Sequence, residues 1–286
     1  MKICETIDDM RSASRATRRK GKHLGFVPTM GALHEGHLSL VRSAKAKCDV
    51  VAVSIFVNPL QFGPNEDLAK YPRTFERDLA LLEKEAVDFL FAPTREEMYP
   101  AGAVTYVTVE GLSEKLCGKS RPGHFRGVTT VVAKLFHIVE PDLAFFGQKD
   151  AAQATIIRRM VRDLNLPVEI VVCPIVREPD GLAMSSRNAY LNPQERKSAL
   201  VLHRALVAIE SRFNQGEKNA AALIEAGKLV LAQEPAVRLD YFDIVDPVTL
   251  DPLQQLTRHA LLAIAAFVGN TRLIDNILLP GLPLVS

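Results

Sequence analysis

Short apolar runs alternate with stretches of helical spacing through roughly the first 175 residues. HLGFVP (23–28) reads as a strand, and the helix opening near Glu35 carries Leu38, Leu40, Val41 and Ala44. DVVAVSIFV (49–57) is almost continuously apolar, as expected of a strand covered on both faces. A helix from about Thr74 to Glu85 sets Leu79, Leu82 and Ala86 on one side, and VDFLFAP (87–93) reads as the next strand. VTYVTVE (104–110) looks extended, whereas GVTTVVAKLFHIV (127–139) has helical spacing despite its β-branched residues. DLAFFG (142–147), a helix from about Asp150 to Leu164 and VEIVVCPIV (168–176) complete the series. This alternation predicts an α/β fold, a Rossmann-like parallel sheet with helices on both faces. Ligands in such sheets bind beyond the carboxyl ends of the strands, so the loops 28–37, 58–62, 147–153 and 177–187 fall on one rim.

The pattern changes after Asn192-Pro193. Residues 194–233 read as two helices separated by NQGEK, followed by strands at 237–246, 260–268 and 271–279. Gly269-Asn270 between the last two is a hairpin signal. The division expected is a nucleotide-binding domain over 1–176 and a smaller C-terminal α+β domain over 177–286.

Composition narrows the function classes. At 286 residues, with 48% hydrophobic and 24% charged residues, the chain has the balance of a globular protein. A formal net charge of +2 gives no global case for nucleic acid as a partner. The four cysteines, Cys4, Cys48, Cys117 and Cys173, lie far apart without a CxxC pair, which points to a reducing compartment. No apolar run reaches the roughly 18 residues of a membrane span. The basic, Ser- and Arg-rich first twenty residues could suggest a transit peptide, but Glu5, Asp8 and Asp9 interrupt them, and a surface helix is the plainer reading. A cytoplasmic location is the expectation.

The chemistry lies in VPTMGALHEGHLSL, residues 27–40. Gly31 and Gly36 allow close backbone approach, and a helix starting there would aim free N–H groups and its positive end at a phosphate. His34 and His37 stand one turn apart, so both rings can face one ligand and stabilise charge developing on phosphorus. For an isolated H-x-x-H, two exposed histidines at a helix start would be the better account; a metal site ranks lowest without further ligands at metal-like spacing. The loop LAMSSRNAYL (182–191) offers Ser185, Ser186 and Arg187 after Met184, small hydroxyls and a cation suited to closing over a triphosphate. Residues 56–74 supply Asn58 and Gln61, and FFGQKDAAQ (145–153) supplies Gly147, Lys149, Asp150 and Gln153. Gln61 and Gln153 are neutral amides able to hold a small hydroxy acid without a clamp that would blunt its carboxylate as a nucleophile. For either glutamine alone, a packing role serves as well, and Asp150 stands open between capping the next helix and touching the nucleotide.

His34-Glu35-Gly36-His37 after a strand, with Met184-Ser185-Ser186-Arg187 much later, resembles the HIGH superfamily of nucleotidylyl-transfer enzymes, with Arg where many relatives carry Lys. VPTMGALHEGHLSLV, VNPLQF, RPGHFRGVTTVV, FFGQKDAAQ and MSSRNAYL together resemble the pantothenate synthetase (pantoate–β-alanine ligase) family, in that family's order. The resemblance implies ATP-dependent, AMP-forming condensation of pantoate with β-alanine through pantoyl adenylate. It implies that Pro28 and Thr29 line the pantoate pocket with Gln61 and Gln153, Gln61 also lying near β-alanine. The ATP residues would be Met30, Gly31, Ala32, Leu33, His34, Glu35, Gly36 and His37, then Gly147, Gln148, Lys149 and Asp150. Val176 would meet adenine through its backbone, and Met184, Ser185, Ser186 and Arg187 would close over the phosphates. His37 as proton donor, His34, Lys149 and Arg187 would carry the catalysis. Arg121 stands open as a residue entering the site, and His124 as a support for its loop. Mg2+ is expected to arrive on ATP rather than at a protein metal site, and the implied assembly is a homodimer with the smaller domain as a hinged cover. Against this stand a transferase that stops at nucleotidyl transfer, an RNA-binding relative of class I aminoacyl-tRNA synthetases, and a nucleotide sensor without turnover. AMP release that depends on an amine separates the first of these from a ligase, and salt-dependent RNA binding would mark the second.

Overall fold

A computed structural model describes residues 1–64 and 66–280. The chain forms two compact units, one comprising Met1–Glu114, Arg121–Gln148 and Gln153–Pro174, the other Lys115–Ser120, Lys149–Ala152 and the chain from Ile175 onward.

The first unit opens with β1 (Lys2–Cys4) and α1 (Ile7–Arg19). Then come β2 (Leu24–Thr29), α2 (Glu35–Lys47) and β3 (Val50–Ile55). After them run α3 (Phe75–Lys84), β4 (Phe89–Phe91) and the single turn α4 (Arg95–Met98). The short α5 (Cys117–Ser120) groups with the second unit and precedes α6 (His124–Val139) and β5 (Leu143–Gly147). α7 (Ala151–Asp163) and β6 (Glu169–Cys173) close the series. The six strands make one sheet in the order β1-β4-β3-β2-β5-β6, and every pairing is parallel. From β2 the chain steps outward through β3 to β4, then returns to the other flank of β2 with β5 and β6. The order therefore reverses between β2 and β5, and their carboxyl ends, Thr29 and Gly147, bound the crevice where doubly wound sheets bind ligands. β3 is buried along nearly its whole length, as its continuous apolar run requires, and Val27, Val51, Val53, Leu90 and Phe145 interlock with Leu40, Val41 and Leu82 from the helices.

Two expectations need adjusting. β1 is a three-residue edge strand, too short to show periodicity, while the N-terminal basic segment is indeed a helix that buries Met10, Ala13, Ser14 and Thr17. The segment 104–109 joins no strand. Its backbone at Val107 is tied instead to side chains of α6, with Thr129 Oγ1 donating to the Val107 carbonyl at 2.6 Å and the Val107 N–H donating to Thr130 Oγ1 at 3.0 Å. Alternating Val and Thr there reflects packing against a helix that offers hydroxyls, not a sheet neighbour.

The second unit contains α8 (Pro193–Asn214), α9 (Ala220–Leu231), and the antiparallel strands β7 (Val237–Val245), β8 (Ala260–Val268) and β9 (Thr271–Leu279), with β8 central. Asn192 caps α8 by accepting from the N–H groups of Gln194 and Glu195, and the Glu195 carboxylate accepts in return from the Asn192 N–H. The helices lay Leu202, Leu206, Ile209 and Leu223 on Phe242, Leu262 and Ile264 of the sheet. Gly227 of α9 is where this packing is tightest. A Cβ there would sit 2.5 Å from the Phe242 ring and 2.6 Å from Ile209 Cδ1. Gly227→Ala should cost about 1–3 kcal/mol by overpacking, despite the higher helix propensity of alanine. Chemical denaturation would show it as a lower midpoint at unchanged slope; a raised midpoint would mean that the ring and Ile209 yield freely.

Candidate active site

Within the first unit, the loop after β2 is held by groups that the sequence pattern hides. Thr29 Oγ1 donates to the Ser54 carbonyl on the neighbouring strand at 2.7 Å and accepts from the Gly31 N–H at 3.1 Å. Gly31 has φ +80°, and a Cβ there would stand 3.1 Å from both Asp78 Oδ2 and Ile55 Cγ2. Ala32 follows in the left-handed region at φ +50°, unusual for a residue with a side chain. The strain is held by Asp78 of α3, 1% exposed, whose carboxylate accepts from the N–H of Ala32 at 2.8 Å and of Leu33 at 2.9 Å. Thr74 Oγ1 donates to the same carboxylate at 3.1 Å. Leu33 is buried among Val27, Leu82 and Phe145, so side-chain packing and backbone bonding pin the loop at one place.

At the start of α2, His34 is the N-cap and its Nδ1 accepts from the Gly36 N–H at 3.1 Å. His37 Nδ1 accepts from the His34 N–H across a longer 3.4 Å, and the ring centroids are 4.1 Å apart. A ring nitrogen that accepts carries no proton, so in this arrangement each neutral imidazole bears its hydrogen on Nε2. The expected free N–H groups are thus largely spoken for. Those of Gly31, Ala32, Leu33 and Gly36 all bond within the first unit, and the polar side chains that the segment brings together are the two imidazoles. Glu35 turns along the helix, where its carboxylate pairs with Arg42, itself bound to Glu85 at 2.6 Å. That hydrogen bond holds the Glu35 carboxyl below its ordinary range despite some burial.

Gln61 is the best-braced of the predicted polar residues. It ends a 3-10 turn, Pro59–Gln61, capped by Asn58, and the turn lies against α6 at Gly127. A Cβ on Gly127 would fall 2.1 Å from the Leu60 carbonyl oxygen, so only glycine permits this approach. Asn58, 1% exposed, donates from Nδ2 to Gln61 Oε1 and to the Gly127 carbonyl, each at 3.0 Å, and its Oδ1 accepts from the Tyr99 hydroxyl at 2.9 Å. Burial pushes the Tyr99 phenol well above its ordinary value, which keeps it a donor. With Oε1 thus engaged, Gln61 Nε2 points to Met30 Sδ at 3.6 Å. The Gln61 carbonyl accepts from His124 Nδ1 at 2.9 Å and Arg121 Nη2 at 3.2 Å, while His124 Nε2 accepts from Arg121 Nη1 at 3.0 Å. Both residues therefore buttress the Gln61 backbone. Arg121 is also paired with Glu66 through Nε at 2.8 Å and through Nη2. Burial would raise the Glu66 carboxyl, but the hydrogen bond and charge of Arg121, with the Gly63 N–H, hold it below its ordinary value.

Pro28 and Thr29 lie at the end of β2, Gly147 at the end of β5, and Gln148 just beyond it. Gln153, half-buried, is in the first turn of α7. In the second unit, the Lys149 carbonyl accepts from Asn276 Nδ2 at 2.9 Å, and Lys149 Nζ stands 3.8 Å from Asp150 Oδ2. The Val176 carbonyl accepts from the Met184 N–H at 3.0 Å, joining the two ends of the 177–183 loop. Arg177 bridges to the buried Asp275 at 2.6 Å and Arg196 to Glu178 at 2.6 Å, which fixes the base of that loop. Ser185 caps the 3-10 turn Ser186–Tyr190, its Oγ accepting from the Arg187 N–H at 3.3 Å. Among the described residues, no group of three His, Cys, Asp or Glu side chains is placed to hold a metal ion, and no helix is long and apolar enough to cross a membrane.

Asp78, Asn58 and Gly127 act here through other residues. Asp78 stands one helical turn before buried Leu82, a carboxylate on an apolar face, and that is the signal by which the sequence exposes it. Asp78→Ala would strand two buried N–H groups beside a left-handed alanine, at a cost of about 2–4 kcal/mol. The expected result is a lower unfolding midpoint together with weaker nucleotide-dependent activity; wild-type stability would contradict the clamp. For Glu66 the sign is set by its depressed value. Its contribution is complete above the ordinary 4.5 and is lost as pH falls through the lowered value. Glu66→Gln should therefore flatten the pH dependence of stability between about pH 5 and 3, as read from acid titrations of unfolding; an unchanged slope would contradict the pairing.

Comparisons with known proteins identify the family. The family model for pantoate-beta-alanine ligase matches residues 2–278. Pantothenate synthetase of Koribacter versatilis is 61% identical over 279 residues, spanning 98% of this chain and 96% of that protein. That of Thermotoga neapolitana is 59% identical over 279 residues, spanning 98% and 100%. Among solved structures, pantothenate synthetase from Thermus thermophilus superposes with a TM-score of 0.92 at 50% identity, covering 97% of this chain and 99% of that one. Pantoate-beta-alanine ligase from Francisella tularensis, complexed with beta-gamma ATP and beta-alanine, gives 0.79 at 36% identity, covering 97% of each. With a full-length match in sequence and fold and the motif loops at the carboxyl ends of one parallel sheet, the chain belongs to the pantoate–β-alanine ligase family.

Proposed function

We propose that the protein condenses pantoate with β-alanine at the expense of ATP through a pantoyl-adenylate intermediate, using the groups braced around the β2 loop. The condensation follows from family membership. The observation that supports the route is the pair of histidines set together at the start of α2, each with its Nδ1 accepting from a backbone N–H group.

In the first step a pantoate carboxylate oxygen attacks the α-phosphorus of ATP, and the bond to pyrophosphate breaks. The two imidazoles serve as hydrogen-bond donors to phosphate oxygens as charge shifts toward the leaving group. Gln61, with its Oε1 turned to Asn58, holds the hydroxy acid through its amide N–H and leaves the carboxylate nucleophilic. Gln153, Pro28 and Thr29 complete the pantoate contacts in this reading. Lys149, Arg187 and the serines beside Arg187 would neutralise the phosphates. Mg2+ would come with the nucleotide, since an ion bound to phosphates and water needs few protein ligands. In the second step the β-alanine amine attacks the acyl carbon, the carbon–oxygen bond to AMP breaks, and the amine loses a proton to solvent. Adenylation is needed because a carboxylate is a poor acyl donor until its oxygen becomes part of a leaving group. The homodimer, the cytoplasmic setting and the covering role of the smaller unit, all implied by the resemblance, belong to the same proposal; a solution mass twice that of one chain checks the first.

His37→Ala should slow pantoate-dependent exchange of labelled pyrophosphate into ATP by about 100-fold or more, with its unfolding midpoint close to wild type because the bond it removes is the long one. Exchange at the wild-type rate would remove His37 from the mechanism. AMP release that requires β-alanine would separate a ligase from an enzyme that stops at nucleotidyl transfer.

A further inference from the structure

Two neighbouring polar residues of the second unit, Asp275 and Asn276, lie buried in the middle of β9, an edge strand, at 4% and 3% exposure. Successive side chains of a strand point to opposite faces of the sheet. Asp275 stands in register with Ile264 and Phe242, on the face that α8 and α9 cover, and Asn276 with Ala263 and Asp243, on the other. Polar groups so placed need partners. Each finds one in a segment that carries a cation assigned above to the phosphates.

On the helix-covered face, the Asp275 carboxylate takes both ends of the Arg177 guanidinium, Nη1 at 2.6 Å and Nη2 at 2.9 Å, and Arg177 Nη1 also donates to the Gly181 carbonyl at 3.1 Å. Arg177 opens a tight loop in which the Glu178 N–H donates to the Leu182 carbonyl at 2.8 Å and the Met184 N–H to the Val176 carbonyl at 3.0 Å. Gly181, at φ +96°, lets this loop lie close on α8, since a Cβ there would stand 2.6 Å from the His203 ring. Asn188 Nδ2 donates to Glu178 Oε1 at 2.9 Å and to the Ala183 carbonyl at 3.1 Å, tying the turn that bears Arg187 back to the same loop. That turn also lies against β9. On the opposite face, Asn276 Nδ2 donates to the Lys149 carbonyl at 2.9 Å. One bond holds the backbone at Lys149 and the other the base of the loop leading to Arg187, so neither uses the charge of Lys149 or Arg187.

We propose that Asp275 and Asn276 are positioning residues for nucleotidyl transfer, two adjacent positions of one strand that set the backbone at Lys149 and the loop leading to Arg187 at a fixed spacing. The inference rests on the assignment of Lys149 and Arg187 to the phosphates. A cation on a long side chain stabilises a moving charge well only where its backbone is held, because otherwise its charge is spread over many positions. A hydrogen-bonded strand supplies that anchor for both.

The test follows pantoate-dependent exchange of labelled pyrophosphate into ATP by the full-length protein, with ATP varied and the unfolding midpoint recorded for each variant. Asn276→Ala and Asp275→Asn should each lower kcat/KM for ATP about tenfold. General structural damage would do the same, so each change is also made where the cation it serves is already removed. Added to Lys149→Gln, Asn276→Ala should lower exchange by less than about threefold, and so should Asp275→Asn added to Arg187→Gln, because the group being positioned is gone. Where a strand variant does not fold, Asn276→Ser or Asp275→Glu, which keep a donor or the charge, takes its place. Losses that multiply within a pair overturn the positioning role of its strand residue and leave the cation at the phosphates, and exchange at the wild-type rate in a folded strand variant does the same. Wild-type exchange in Lys149→Gln and Arg187→Gln overturns the phosphate assignment and the inference with it.

Discussion

Asp78 is the constraint on which the site depends. One buried carboxylate on α3 takes the N–H groups of Ala32 and Leu33 and so fixes a loop that would not otherwise hold a non-glycine residue in the left-handed region. Where that loop ends determines where α2 begins, and the first turn of α2 sets both imidazoles. Buried carboxylates are costly unless their lone pairs are filled. This one has three donors, which makes it a bracket between α3 and the β2 loop.

The same logic recurs around Gln61. Its side-chain oxygen, its carbonyl and the turn that carries it are each held by a different neighbour, Asn58, the Arg121–His124 pair and Gly127. A neutral amide braced this way can be selective for a small hydroxy acid without lowering the reactivity of the carboxylate it holds. Rigid positioning of neutral donors suits a reaction in which a carboxylate must first attack and then be attacked.

Much of this was legible in the residues. Apart from the three-residue β1, the strands of both sheets follow from apolar runs and turn residues, and the loops carrying the motifs follow strand ends as parallel topology requires. The parts that were not legible share a cause. Helix 74–85 shows its apolar face in sequence, but the partner of a lone carboxylate on that face lies far away in the chain. Gly31 and Gly36 on either side of His34 suggest open N–H groups, and only the fold reveals that Thr29, Asp78 and the histidines consume those of the loop. Segment 104–109 alternates like a strand, yet hydroxyls of Thr129 and Thr130 satisfy its backbone where a neighbouring strand would have been needed. Periodicity reports which face is buried; it does not report which polar groups meet there.

The central claim is that pantoate's own carboxylate oxygen attacks ATP at the α-phosphorus and leaves with AMP. Supplying pantoate labelled with 18O in the carboxylate, with ATP and β-alanine, and weighing the AMP by mass spectrometry tests this directly. One labelled oxygen in each AMP formed is the predicted result. Unlabelled AMP, or label recovered in inorganic phosphate beside ADP, would contradict the account.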